Sequence, residues 1–202
     1  MKKLVLIFIF ILSFQSFIKA DNVSNFEIEG LSVGESLLDY FKKEKIKEFI
    51  KHKSSYHYVN GDYVIVGITN FNQDLIKLST YSDLGVTINK SDGGYKIFSI
   101  AGQNYTHDTF EKCRNNQELI AKDIKKNLLE DNFDESIWEN DKWSSGGVVV
   151  GKSKMHDFYF KDNTAFRIIC YELNEDNKHI ASWRIKLDVI INSKVFNEFL
   201  QN

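Results

Sequence analysis

Apolar side chains recur at two spacings along this chain, and the two spacings take turns. Asn25–Gly30 (N-F-E-I-E-G) alternates apolar and acidic residues, the pattern of a short half-buried strand. Ser32 and Glu35 then stand at capping-box spacing, with a hydroxyl and a carboxylate placed for the free N–H groups of a first helical turn. Beyond them Leu37, Leu38, Phe41, Ile46, Phe49 and Ile50 recur every three or four residues among lysines, which predicts an amphipathic helix over 33–51. Such a stripe could lie on a membrane surface, but packing on a sheet accounts for it without a further assumption.

The spacing then shortens. Tyr56–Thr69 carries Asn60-Gly61 between two β-rich runs, a strong hairpin signal. Leu75–Tyr81, Val86–Asn89 and Tyr95–Ala101 read as further strands, the last two joined by a turn at 90–94. A second helix is expected over 108–130. Asp108 and Glu111 are spaced as caps, and Phe110, Cys113, Ile120, Ile124 and Leu128 share a face. Residues 130–146 are acidic and irregular and read as a connector. Gly147–Gly151, Asp157–Lys161, Ala165–Leu173 and Ile180–Ile191 read as strands, with turns at 161–163 and 174–178. In the last of them Trp183, Ile185, Leu187, Val189 and Ile191 alternate with Ser182, Arg184, Lys186 and Asp188. Ser193 caps a short final helix bearing Val195, Phe196, Phe199 and Leu200. Runs of hairpins with helices between them predict an α+β fold. It is mainly an antiparallel sheet of hairpins, with two longer helices packed on it and a short C-terminal helix.

The first twenty residues have a different character. Lys2 and Lys3 precede the unbroken apolar run Leu4–Leu12, and a mixed stretch follows that ends at Ala20. This is the three-part layout of a secretory signal peptide. Ser13, Gln15, Ser16 and Lys19 leave the apolar run well short of the roughly 20 residues that cross a bilayer. Cleavage between Ala20 and Asp21 is expected, leaving 21–202 as a single α+β domain in the periplasm or outside the cell, with no transmembrane segment. The whole chain has 43% apolar and 27% charged residues and a net charge of −2. The first two figures exclude a disordered or polytopic chain, and the last gives no electrostatic reason to expect nucleic acid. With no proline, three arginines and 23 lysines, the composition follows AT-rich coding, so the aromatic content is not by itself an adaptation.

Chemical motifs are sparse. His52, His57, His107, His156 and His179 lack the i, i+4 spacing of a helical metal pair. The two His-Asp steps, 107–108 and 156–157, resemble pieces of a phosphohydrolase site without the rest of it. Nucleophile elbows, reactive-cysteine contexts and phosphate loops are missing. No catalytic residue, metal ligand or cofactor is therefore expected. The acids Glu130, Asp131, Asp134, Glu135, Glu139 and Asp141 could supply oxygens to calcium, but they lack the spacing and turn glycine of a dedicated loop. A solvated face is the simpler reading.

Two features come from placement. If Phe166, Ile168 and Cys170 share a buried face with Ala181, Trp183 and Ile185, partner numbers across the two strands sum to an odd value. A sum near 351 sets Arg167 opposite Arg184, an unfavourable pair unless an acid lies between them. Glu172 or Asp188 could serve, or an anionic ligand, since guanidinium groups fit carboxylates and phosphates. Cys113 lies on the apolar stripe of its helix and Cys170 on the buried face of its strand. In an oxidising compartment a Cys113–Cys170 disulfide is expected.

The segment Phe26-Glu-Ile-Glu-Gly-Leu-Ser-Val-Gly-Glu-Ser-Leu-Leu-Asp-Tyr-Phe41 resembles the start of uncharacterised small secreted proteins of AT-rich marine alphaproteobacteria. The similarity continues loosely through Glu111-Lys-Cys113 and Ile169-Cys-Tyr171. It implies export and this layout, and brings no activity with it. The leading expectation is a non-enzymatic periplasmic binding or envelope-associated domain of unknown partner. The alternatives are a small exported hydrolase and an anion binder using Arg167 and Arg184.

Overall fold

Two four-strand meanders meet edge to edge in one antiparallel sheet. The computed structural model describes residues 26–52, 55–58, 61–69, 78–128, 132–145, 148–177 and 183–201. The first meander is β3 (Tyr56–His57), β4 (Tyr63–Thr69), β5 (Asp83–Asn89) and β6 (Ile97–Asn104). The second is β7 (Phe133–Ser145), β8 (Val148–Phe160), β9 (Ala165–Leu173) and β10 (Ile185–Asn192). The order across the eight strands is β3-β4-β5-β6-β10-β9-β8-β7, so β6 and β10 join the two halves. A small hairpin, β1 (Glu27–Ile28) and β2 (Leu31–Ser32), precedes the sheet.

The described α-helices are α1 (Lys43–Lys51), α2 (Phe110–Asn127) and α3 (Lys194–Gln201). The expected α+β fold is therefore present. α2 carries the chain from the centre of the sheet to its far edge and lies over β8, β9 and β10. It presents Cys113, Gln117, Ala121 and Ile124 to them. α1 packs on β4 through Ile46 and Phe49. On the same face Val64, Val66, Ile68, Val86, Ile100, Ile168, Val189 and Ile191 are all but inaccessible, because alternate strand residues point to one side. The opposite face is covered at one end by α3, whose Phe196 and Phe199 pack against Tyr63.

Cys113 of α2 is bonded to Cys170 of β9 across this helix–sheet interface, with Cα atoms 6.0 Å apart. The expected pairing holds because helical and strand periodicity turn both sulfurs toward the same layer. Gln117, one turn on, is fully buried and donates to the carbonyls of Lys154 and Ile168 at 2.9 and 2.7 Å. It anchors the helix over β8 and β9 by hydrogen bonds as well as by apolar contact.

Several expected elements differ. Residues 33–51 do not form one helix: Gly34 has φ +98 and turns the chain, a short 3-10 turn spans Leu37–Asp39, and α1 begins only at Lys43. Glu35 does accept the Ser32 N–H at 3.0 Å, but the capping box sits at Ser36 and Asp39. Asp108 is not the cap of α2. Thr109 is, accepting the Lys112 N–H at 3.2 Å, while Asp108 pairs with the Lys112 ammonium at 2.6 Å. The expected connector at 130–146 contains β7, paired along β8 from Phe133↔Phe160 to Ser145↔Val148. The two short strands at 147–151 and 157–161 belong to the single strand β8. The signal segment 1–20 with its Ala20–Asp21 junction, Asn60, Leu75–Lys77, Glu130, Asp131, Gly147 and residues 178–182 lie outside the described residues.

The remainder of the expected strand at 75–81 is a loop, held by one carboxylate. Glu29, at φ 54, accepts the backbone N–H groups of Ser79, Thr80 and Tyr81 at 2.9, 2.7 and 3.0 Å, and the Ser79 hydroxyl at 3.0 Å. Burial opposes its ionisation, but these four donors outweigh burial and lower its pKa. A carboxylate whose pKa is depressed by folding stabilises the fold above its unfolded pKa, and that contribution is lost as pH falls through the folded value. The expected result is a protein that loses stability on acidification below about pH 5. Glu29→Gln should lack that component of the acid dependence, as urea titrations at pH 3, 5 and 7 would reveal.

Candidate functional site

The strand face turned away from α1 and α2 carries an unusual set of side chains at one end. Register places Asp83 of β5 and Asp188 of β10 on either side of Gln103 of β6 in one row. Tyr105, just past β6, donates to Gln103 Oε1 at 2.7 Å and approaches Asp83 Oδ2 at 3.5 Å. Asp188 is 4% exposed, and its Oδ2 lies 2.8 Å from the Lys186 ammonium. The second oxygen of each acid, Asp83 Oδ1 and Asp188 Oδ1, is buried without a hydrogen-bond partner among the described residues.

Four half-buried aromatic rings adjoin this row. Trp183 stacks with Tyr105 at a centroid distance of 6.5 Å and 16°. Trp143 packs against Tyr171 at 4.8 Å and against Trp183 at 6.5 Å. The Lys186 ammonium sits over the Tyr171 ring at 4.7 Å and the Trp183 ring at 5.2 Å, within cation–π range. Trp183 precedes β10, so its ring is free of the strand alternation. Instead of joining Ile185 on the buried face, it crosses to Tyr171 and Lys186.

Electrostatics follow from these contacts. Burial raises the pKa of Asp83, and the Tyr105 hydroxyl offsets this only in part. Burial also raises that of Asp188 against the pull of Lys186. Tyr105 is pushed up by burial and by the charges of both acids, and Tyr171 by burial and by Asp188. On β5, β6, β10, β9 and β8 this face carries the acids Asp83, Asp188 and Asp157 and the bases Lys186 and Arg167. Asp157 is taken by Arg167 and Asp188 by Lys186. Among the described residues Asp83 has no base against it.

The sequence-derived arginine pair is not formed. The partner sum between β9 and β10 is odd, as expected, but its value is 357, with Arg167 opposite Ile190. Arg167 makes a two-pronged pair with Asp157 at 2.8 and 3.0 Å and meets the Tyr159 hydroxyl at 2.9 Å. Arg184 instead reaches Glu172 at 3.4 Å and Glu175 at 3.1 Å. Each guanidinium has its acid within the fold, so the facing charges that motivated an anionic ligand are absent.

The histidines are dispersed. His57 lies near the Ile50 carbonyl at 3.2 Å, His107 bonds Asn116 at 2.8 Å, and His52 is exposed. His179 lies outside the described residues. Strand alternation sends His156 and Asp157 to opposite faces, which dissolves that His-Asp step. His156 meets Glu135 at 2.6 Å under α2, stacked on Phe158. Burial works against ionisation of Glu135, but Lys125 and His156 outweigh it and lower its pKa. The small groove there is lined by Glu118, Ala121, Lys122, Lys125, Glu135 and His156, none of which is a hydroxyl or thiol nucleophile. Of the acidic run, Glu135 and Glu139 are engaged with Lys125, Arg114 and Lys154. Among the described residues no group of three or more His, Cys, Asp or Glu is placed to hold a metal.

The chain matches no known protein family, no curated protein and no solved structure.

The aromatic–acidic corner was missed because no motif announces it. Asp83 and Tyr105 come from the first meander, Lys186 and Asp188 from the strand that closes the sheet. Only the pairing of β6 with β10 brings them together. The one sequence signal was the polar half of the 182–191 alternation, which put Lys186 and Asp188 on a common side.

Proposed function

We propose that this chain is an exported, non-enzymatic binding protein of the cell envelope. It holds its ligand at the corner formed by Tyr105, Trp143, Tyr171 and Trp183. Support for export comes from the three-part layout of residues 1–20 and from the Cys113–Cys170 bond, since disulfides persist in oxidising compartments. No described helix is long and apolar enough to cross a membrane. The resemblance of residues 26–41 to small secreted proteins points to the same compartment.

One observation carries the binding reading. Two buried carboxylate oxygens without partners, on Asp83 and Asp188, adjoin four half-buried aromatic rings. Buried polar atoms ordinarily have partners, and ligand sites combine aromatic lining with a few polar groups. A hydrolase is less well supported. His156 and Glu135, the described histidine–carboxylate pair, lie under α2 away from this corner, and Glu135 is already engaged by Lys125.

Native mass spectrometry of protein isolated from periplasm tests the reading, together with tryptophan fluorescence after dialysis and re-addition of the small-molecule extract. A non-covalent adduct and a fluorescence change are expected for the wild type, and both should be lost in Trp183→Ala. An adduct retained by Trp183→Ala, or no response of either kind, would overturn it.

A further inference from the structure

The corner already contains a cation of its own, and its surroundings say what else would fit. The Lys186 ammonium touches three groups that recognise ammonium ions: the Tyr171 face at 4.7 Å, the Trp183 face at 5.2 Å and Asp188 Oδ2 at 2.8 Å. Its charge is spent on Asp188. Two strands away, across Gln103, Asp83 meets the Tyr105 hydroxyl and, among the described residues, no base. The corner is thus built for positive charge and carries one acid more than it has bases. Its two unpartnered oxygens are acceptors, and what they lack are N–H or O–H donors.

Resting on the binding reading above, we infer that the corner is a site for a protonated alkylamine, such as a diamine. One ammonium of the ligand takes the aromatic position now filled by Lys186 against Asp188, and the second, two strands away across Gln103, serves Asp83. Lys186, on a four-carbon stem with its side chain 15% exposed, is a tethered competitor that swings aside when the amine enters. A quaternary ammonium satisfies the rings but offers no N–H to the free oxygens, so it binds less well. A neutral diol offers donors but no charge, and binds least.

The mature protein is titrated with 1,4-diaminobutane, and tetramethylammonium and 1,4-butanediol serve as controls. The readouts are calorimetry and the fluorescence of Trp143 and Trp183. Lys186→Met should bind the diamine at least about tenfold more tightly than wild type, because a tethered competitor acts at millimolar effective concentration. Asp83→Asn keeps the shape of the side chain and should weaken diamine binding by about tenfold, the loss of roughly one charge-assisted hydrogen bond. Circular dichroism confirms that each variant is folded. Equal affinity of wild type and Lys186→Met, unchanged binding in Asp83→Asn, or a diol that binds as well as the diamine would each overturn the assignment. If a neutral component of the extract perturbs Trp183 while the diamine does not, the amine assignment fails and the binding reading stands. If nothing perturbs Trp143 or Trp183, both fall.

Discussion

Replacing both cysteines, Cys113→Ala with Cys170→Val, is expected to lower the unfolding free energy by about 4 kcal/mol. The bond closes a loop across a sequence separation of 57 residues. In the chain-entropy view most of its effect lies in the unfolded state, which the cross-link restricts. Both positions are fully buried, so small apolar replacements avoid adding an unsatisfied hydroxyl to the layer between α2 and β9. A typical domain has only about 5–15 kcal/mol of net stability, so the variant should be marginally stable. Urea unfolding of the oxidised wild type, the reduced wild type and the double variant tests this. The last two should nearly coincide, well below the first. A double variant within about 1 kcal/mol of the oxidised protein would contradict the loop argument, since the predicted effect is several times larger.

Arg167→Met should be nearly as costly, about 3–5 kcal/mol, for a different reason. Its partner Asp157 is 2% exposed and accepts two guanidinium hydrogen bonds. Without Arg167 the acid keeps only the Tyr159 hydroxyl among the described contacts, and a buried carboxylate becomes uncompensated. The pair itself contributes far less than the penalty for breaking it, because burying both ions has already cost much of their attraction. Asp157→Asn combined with Arg167→Met is therefore expected to recover a large part of the loss. Thermal unfolding of the two single variants and the double would establish the coupling. Additive losses would show that the arginine acts through packing alone.

The parts of the fold that can be read from the sequence are those where apolar residues recur at the strand or helix period. β9, β10, α2 and α3 announce themselves in this way, although the second face of β9 and β10 is itself largely buried, at Ile169, Asp188 and Asn192. The disulfide followed from combining two such faces. β7 reads as a connector because an edge strand with little burial has no apolar alternation to display: Asp134, Glu135, Ile137, Trp138, Glu139 and Asn140 are all exposed. β8 reads as two strands because its middle holds the buried polar residues Ser153, Lys154 and His156, and the partners of the last two, Glu118 and Glu135, are not named by the sequence. The register of Arg167 and Arg184 failed by six in the partner sum. Local alternation fixes parity, whereas the absolute offset depends on the path between the strands. The candidate corner was the least legible part, since its acids and rings are assembled by the pairing of β6 with β10.

That pairing also sets a timetable. A chain made from its N-terminus can complete the first meander once Asn104 is available, leaving β6 as a bare edge. The strand that covers it, β10, is the last of the sheet to be made, after α2 and the other three strands of the second meander. Cys170 precedes β10, so both thiols exist before the sheet can be sealed. Oxidation at that stage would hold β9 under α2 and bring the second meander near the waiting edge before the final strand arrives. Non-local pairing of this kind is slow, and an open edge invites pairing with other chains. Formed at that stage, the bond would guard the open edge against aggregation during folding, independent of the stability it gives afterwards.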